Sequence, residues 1–124
     1  MTTTSPIALI TGASRGIGAT IARRLARDGF AIAVNYAANA TEADALVAEL
    51  IQTGARAIAI RADVSKADQV QAMFAAVEDK LGKIDVLVNN AGILKTMPLA
   101  QTSDELYAQN FAVNTQGVFN TLRE

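Results

Sequence analysis

The chain has 124 residues, enough for one hydrophobic core burying roughly two-thirds of the unfolded surface. Eleven basic and 12 acidic residues give a formal charge of −1, so no broad positive field favours nucleic acid or anionic lipid as a partner. With no Cys and no His, the sequence lacks disulfides, thiolate nucleophiles, Ser-His relays and the commonest metal ligands, and no metal is expected.

Hydrophobic residues make up 51% but aromatics only 5%, a composition suited to helices packed closely on a sheet. The stretch Met1-Thr2-Thr3-Thr4-Ser5-Pro6 has no basic region ahead of an apolar run, and no later segment approaches a membrane-spanning length. The expectation is a soluble, cytoplasmic protein.

In chain order, the apolar runs Ile7–Ile10 and Ala31–Val34 bracket a helix with the stripe Ile17, Ile21 and Leu25, its Arg23, Arg24 and Arg27 facing away, and Gly29 ending it. The unit then repeats. Thr41 with Asp44 resembles a capping box, Leu46, Val47, Leu50 and Ile51 form the stripe, Gly54 stops it, and Ala57–Ile60 is the next strand. A third helix opens at Ser65 with Asp68 and carries Val70, Met73, Phe74, Val77 and Leu81 to Gly82; the fourth strand is Ile84–Val88. The last helix starts near Thr102 with Glu105, and its stripe Tyr107, Phe111, Asn114 and Val118 should face the sheet.

Apolar strands alternating with helices specify a parallel sheet covered on both faces, an α/β Rossmann-type doubly wound fold. Four strands in the order 3-2-1-4 would make its first half, with residues 1–124 as a single domain.

Thr11-Gly12-Ala13-Ser14-Arg15-Gly16-Ile17-Gly18 follows the first strand directly. Gly12 can take the tight turn, Gly16 can let backbone approach a pyrophosphate, and Gly18 can let the helix sit close to the strand. Phosphates would meet free N–H groups at the positive end of the helix dipole. The alternative is a surface loop with no ligand.

Thr11-Gly-x-x-x-Gly-x-Gly18, Asp63-Val64, Asn89-Asn90-Ala91-Gly92 and Asn114, in that order, resemble the signature of short-chain dehydrogenases/reductases, closest in flavour to β-ketoacyl-acyl-carrier-protein reductases. The resemblance implies reversible hydride transfer between a nicotinamide and a carbonyl or secondary alcohol on a small-molecule substrate. It also implies that Asp63 and Val64 flank the adenine, that the small residues of Asn90-Ala91-Gly92 let the backbone come near the adenosine ribose while Asn90 ties neighbouring strands together, and that Asn114 supports a proton relay. Plainer readings stand beside these: Asp63 ends a strand and caps the next segment, Asn-Ala-Gly is a good turn, and Asn114 is a kink residue, an Asn in a helix being a poor former that needs partners when buried.

NAD-specific Rossmann sites usually carry an acid about 20 residues past the glycines. Here Asn35-Tyr36 stands there, with no acid before Glu42, and Arg15 sits within the glycine loop, so NADP(H) is expected over NAD(H). The alternative for Arg15 is a solvated charge. The cofactor group therefore comprises Gly12, Ser14, Arg15, Gly16, Ile17, Gly18, Asn35, Tyr36, Asp63, Val64, Asn90, Ala91 and Gly92, and the catalytic one Asn114 alone.

The family's Ser and Tyr-x-x-x-Lys are not completed, because Tyr36 and Tyr107 are followed four residues on by Ala40 and Phe111. The expectation is a truncated cofactor-binding half without turnover, with a non-catalytic dinucleotide module or a minimal Rossmann unit as alternatives. A homo-oligomer is expected, through the unguarded fourth-strand edge or through the last helix with Phe111, Val113, Val118 and Phe119.

Overall fold

A computed structural model describes residues 5–124, and the reading of Met1–Thr4 lies outside them. Strands β1 (Ile7–Ile10), β2 (Ala31–Tyr36), β3 (Ala57–Arg61) and β4 (Val86–Val88) form one parallel sheet in the order β3-β2-β1-β4. Leu9 lies between Ala33 and Leu87, at the centre of that sheet. The expected order 3-2-1-4 is the observed one.

Strand alternation sends side chains to two separate cores. Ala8, Ile10, Ile32 and Val34 pack beneath helices α1 (Gly16–Arg27) and α2 (Ala40–Gln52), whose Ala19, Ala22, Ala43, Leu46 and Leu50 are buried. Ile7, Leu9, Ala31 and Ala33 face helix α3 (Ala67–Lys80) through Val70, Met73 and Val77, the stripe read from the sequence. Beyond α3 come a 3-10 turn (Leu99–Gln101), helix α4 (Asp104–Phe111), a π turn (Ala112–Gln116) and helix α5 (Gly117–Arg123), which packs on α3.

Several local expectations change. Ile17 does not face the sheet but is 75% exposed, and α1 presents Gly18, Ala19 and Ala22 inward. The helix lies so close to the glycine loop that a Cβ on Gly18 would stand 2.8 Å from the Gly12 carbonyl oxygen, leaving room only for small residues. Neither expected capping box at Thr41 or Ser65 forms, since α2 begins after Asn39 and α3 after Lys66, both without a side-chain cap. Ser65 is engaged instead with Asp63, its N–H and hydroxyl both donating to Asp63 Oδ1. For α4 the cap is Ser103, one residue past Thr102, accepting from the Leu106 N–H at 3.1 Å.

The last stripe also fails. Tyr107 and Phe111 are half exposed or more, Asn114 is exposed, and Gly117, Asn120 and Thr121 are the buried positions. A π turn closes i→i+5 bonds, so each residue spent in it shifts the helical phase away from the 3.6 period on which the stripe was drawn. Strand β4 is shorter than Ile84–Val88 because Asp85 is used at its start: its carboxylate accepts from the Ile7 N–H, and its own N–H donates to the Ile7 carbonyl. No helix among the described residues is long and apolar enough to cross a membrane.

Candidate functional site

The carboxyl ends of all four strands open onto one cleft of about 910 Å³, roofed on one side by α4 and the π turn through Ala108, Gln109, Ala112 and Val113. A crevice at the carboxyl ends of a doubly wound sheet is where such folds bind ligands.

The glycine loop is braced before any ligand arrives. Gly12, at φ +60°, packs so tightly that a Cβ there would come 2.8 Å from the Ala91 Cα. Gly18 is closer still, its missing Cβ falling 2.5 Å from Asn90 Nδ2. Gly16 differs. At φ +62° it has nothing within 4 Å of its missing Cβ, so the backbone there is bare on the cleft side. No side chain caps α1, which leaves the first-turn N–H groups to a bound anion. This cradle fits a pyrophosphate.

Around it stands a set of buried polar bonds. The Thr11 hydroxyl accepts from the Asn90 and Ala91 N–H groups at 3.0 and 2.9 Å and donates to the Val88 carbonyl. Asn90 Nδ2 donates to the Thr11 and Gly12 carbonyls, both at 3.0 Å, and so ties the end of β4 to the glycine loop. Among the described residues no buried side-chain polar atom lacks a partner.

Asn35 is 1% exposed and its amide is fully used: Oδ1 accepts from the Gly12 N–H at 3.1 Å, and Nδ2 donates to the Ile60 and Ala62 carbonyls at 3.3 and 3.1 Å. An acid at position 35 would meet those two carbonyls rather than a ribose. Of the pair Asn35-Tyr36 read from the sequence, both line the cleft, but only Tyr36, half-buried and last in β2, has a side chain not committed to the backbone bonds that hold Asn35. Asp63 lines the cleft too, with Oδ1 occupied by Ser65, while Val64 is buried and Gly92 exposed.

Three cations, Arg15, Lys66 and Lys95, line the same cleft against one carboxylate, Asp63. All three are exposed, and among the described residues none lies within 4 Å of an acid. The local field therefore favours an anion although the whole chain is near neutral.

Asn114 sits in the π turn with its side chain outside the core. Oδ1 accepts from the Ile93 N–H at 2.8 Å and Nδ2 donates to the Ile93 carbonyl at 2.7 Å. The expectation of partners for this amide holds; the expectation of burial against the sheet does not. The sequence reading passed over Thr11, Asn120 and Thr121. Asn120, 2% exposed, donates to the Val64 carbonyl at 2.8 Å, and the Thr121 hydroxyl lies 2.5 Å from Asn89 Oδ1, so α5 holds the ends of β3 and β4. The signal used for Asn114, a poor helix former inside a helix, was equally present at Asn120.

Residues 6–124 match the family profile described as short chain dehydrogenase. The chain belongs to this family. A 3-oxoacyl-[acyl-carrier-protein] reductase of Synechocystis is 47% identical over 116 residues, 94% of this chain and 47% of that one. Among solved structures, a blue fluorescent protein from a metagenomic library, in complex with NADPH, superposes with TM-score 0.91 at 41% identity, covering 97% of this chain and 49% of that one. A short chain dehydrogenase of Burkholderia cenocepacia, in complex with NADP, gives TM-score 0.93 at 39% identity, with 97% and 49% covered. The chain spans about half the length of the relatives it matches. The family resemblance read from its four motifs is borne out.

Proposed function

We propose that the chain is the cofactor-binding half of an NADP(H)-dependent carbonyl or alcohol oxidoreductase, of the 3-oxoacyl-thioester reductase kind. The observation that carries this is the charge at the cleft: Arg15 stands free beside the bare Gly16 backbone, and the end of β2 from Tyr36 to Asn39 holds no acid. A 2′-phosphate would meet a guanidinium that can bind it with two N–H groups and no carboxylate to repel it. The NADPH and NADP complexes among the structural neighbours support the same choice.

In this reading the glycine loop and the α1 N-terminus take the pyrophosphate, Asp63 and Val64 the adenine, and Ala91 and Gly92 the ribose. Asn90, Thr11 and Asn35 hold those surfaces at fixed separation. Asn114 keeps the wall beyond Gly92 in place and is the residue that the family resemblance links to a proton relay. The bound nicotinamide supplies the hydride chemistry. No Tyr-x-x-x-Lys occurs within these 124 residues, so they are expected to bind cofactor without reducing a ketone.

Titration of the 124-residue chain with NADPH and NADH tests the reading. NADPH should bind more tightly, Arg15→Gln should weaken NADPH by about tenfold or more and leave NADH nearly unchanged, and Tyr36→Asp should shift the preference towards NADH. Equal binding of the two cofactors, or no response to Arg15→Gln, would refute NADP(H) selection by this loop. Self-association through the β4 edge or the last helix belongs to the same proposal, since among the described residues β4 pairs with β1 alone and Phe119 is more than half exposed. Sedimentation equilibrium giving a monomer at tens of micromolar would remove that part.

A further inference from the structure

The chain leaves β4 at Val88, and no strand of the sheet pairs with the extended segment running from Gly92 to Met97. Its backbone groups are bonded by two side chains instead. Asn114 holds the N–H and the carbonyl of Ile93. Asn110 does the same two residues on: Oδ1 accepts from the Lys95 N–H and Nδ2 donates to the Lys95 carbonyl, both at 3.2 Å. The second hydrogen of Asn110 Nδ2 goes to the Leu106 carbonyl at 2.9 Å, which orients the amide from within its own helix.

The spacing is regular: Asn110, near the end of α4, and Asn114, in the π turn, stand four residues apart, and the residues they grip, Lys95 and Ile93, stand two apart in the opposite chain direction. Each Asn amide turns one donor and one acceptor towards the segment, as a neighbouring peptide group would. Leu94, between the two gripped residues, points to solvent at 85% exposure. Gln109 adds a third hold through Oε1, which accepts from Lys95 Nζ at 3.2 Å.

We infer that Asn110 is a positioning residue: with Asn114 it docks Gly92–Lys95 on α4 and the π turn in place of a strand neighbour, and so fixes the cleft wall that carries Lys95. The inference rests on the cofactor reading of the cleft only for its effect on binding; the docking itself stands apart from it. Asn110 is not one of the buried core residues, so removing its amide frees the wall without opening the core.

The test is Asn110→Ala in the 124-residue chain, followed by amide hydrogen exchange and by NADPH fluorescence titration. Protection at the Lys95 amide should fall by about tenfold, protection in β1 and β2 should stay as it was, and NADPH affinity should drop by about three- to tenfold. Asn110→Asp retains the acceptor for the Lys95 N–H but turns a carboxylate oxygen towards the Lys95 and Leu106 carbonyls, so it should recover protection at Lys95 only in part, a local recovery that a general loss of stability would not give. Unchanged protection at Lys95, or an equal loss throughout the sheet, overturns the docking role. A loosened Lys95 with unchanged NADPH affinity overturns the control of the cleft. Should the unaltered chain bind no NADPH, the cofactor reading fails, while exchange at Lys95 still decides the docking.

Discussion

Between Ile7 and Leu81 the large apolar side chains are covered by one helix layer or the other, with Ile17 and Ile51 as the departures. From Leu94 to Leu122 the balance reverses, and Leu94, Met97, Leu99, Tyr107, Phe111, Phe119 and Leu122 are all more than half exposed. The cause is position in the sheet. Helices α1, α2 and α3 lie over strands with neighbours, whereas the last helical stretch stands beyond β4, an edge strand of three residues with little surface opposite. What holds that stretch is polar: Asn110 and Asn114 on the extended segment, Asn120 on Val64, and Thr121 on Asn89.

The contrast is sharpest under truncation of one leucine from each region. Leu9→Ala, at a side chain with no exposure in the middle of the sheet, should cost about 3 kcal/mol of unfolding free energy. Leu122→Ala, at 68% exposure, should stay within about 0.5 kcal/mol. Urea unfolding measures both. A Leu122 cost approaching that of Leu9 would mean that the last helix is covered in solution and that the two regions are buried alike.

The same contrast separates what could be read from the sequence. The strand order, the two-sided core and the stripe Val70, Met73 and Val77 followed from apolar runs and 3.6 periodicity, because those elements bury a regular face. The glycine loop was legible because each glycine answers a separate backbone demand, as the contacts at Gly12 and Gly18 bear out. Periodicity failed where a π turn broke the helical phase between Phe111 and Gly117. It also could not tell Asn35 from Tyr36, since Ala31–Val34 are apolar on both faces and carry no alternation to extend to the next two residues. The partners of Thr11, Asn120 and Thr121 were not legible because their bonds join residues 32 to 80 positions apart, although Asn120 carries the same local mark as Asn114, a poor helix former inside a helix.

A smaller effect distinguishes glycines within the well-covered region. Gly18→Ala puts a methyl 2.5 Å from Asn90 Nδ2 and 2.9 Å from the Ala13 Cα, an overpacking expected to cost about 2 kcal/mol and to force Asn90 off the glycine loop. Gly16→Ala meets no atom within 4 Å, and its cost is the positive φ alone, about 1 kcal/mol. Thermal unfolding should rank them in that order, while cofactor titration should find both impaired. A greater loss of stability at Gly16 than at Gly18 would show that the loop's tightness is not what holds α1 to the sheet.

The least consequential link to break is the ion pair joining α1 to α2, in which Arg23 Nε donates to Glu49 Oε2 at 2.6 Å and Nη2 to Oε1 at 3.3 Å. The hydrogen bond from Arg23 holds the Glu49 carboxyl below its ordinary range, and the bond to Glu49 raises Arg23 above its own. A lowered carboxyl pKa contributes stability that is present above the unfolded-state value and is lost as pH falls through the folded-state one. The raised arginine contributes below its unfolded-state value and would lose that only in strong alkali, so the acid side alone is open to measurement. Both side chains are about half exposed, and water and salt screen most of the attraction despite the bidentate geometry. Glu49→Gln should therefore shift the urea midpoint at neutral pH less than either glycine substitution, and the gap to the unaltered chain should close in acid and narrow in high salt. A gap that persisted once Glu49 is protonated would trace to packing between the helices, and would make the α1–α2 contact part of the core rather than its solvated rim.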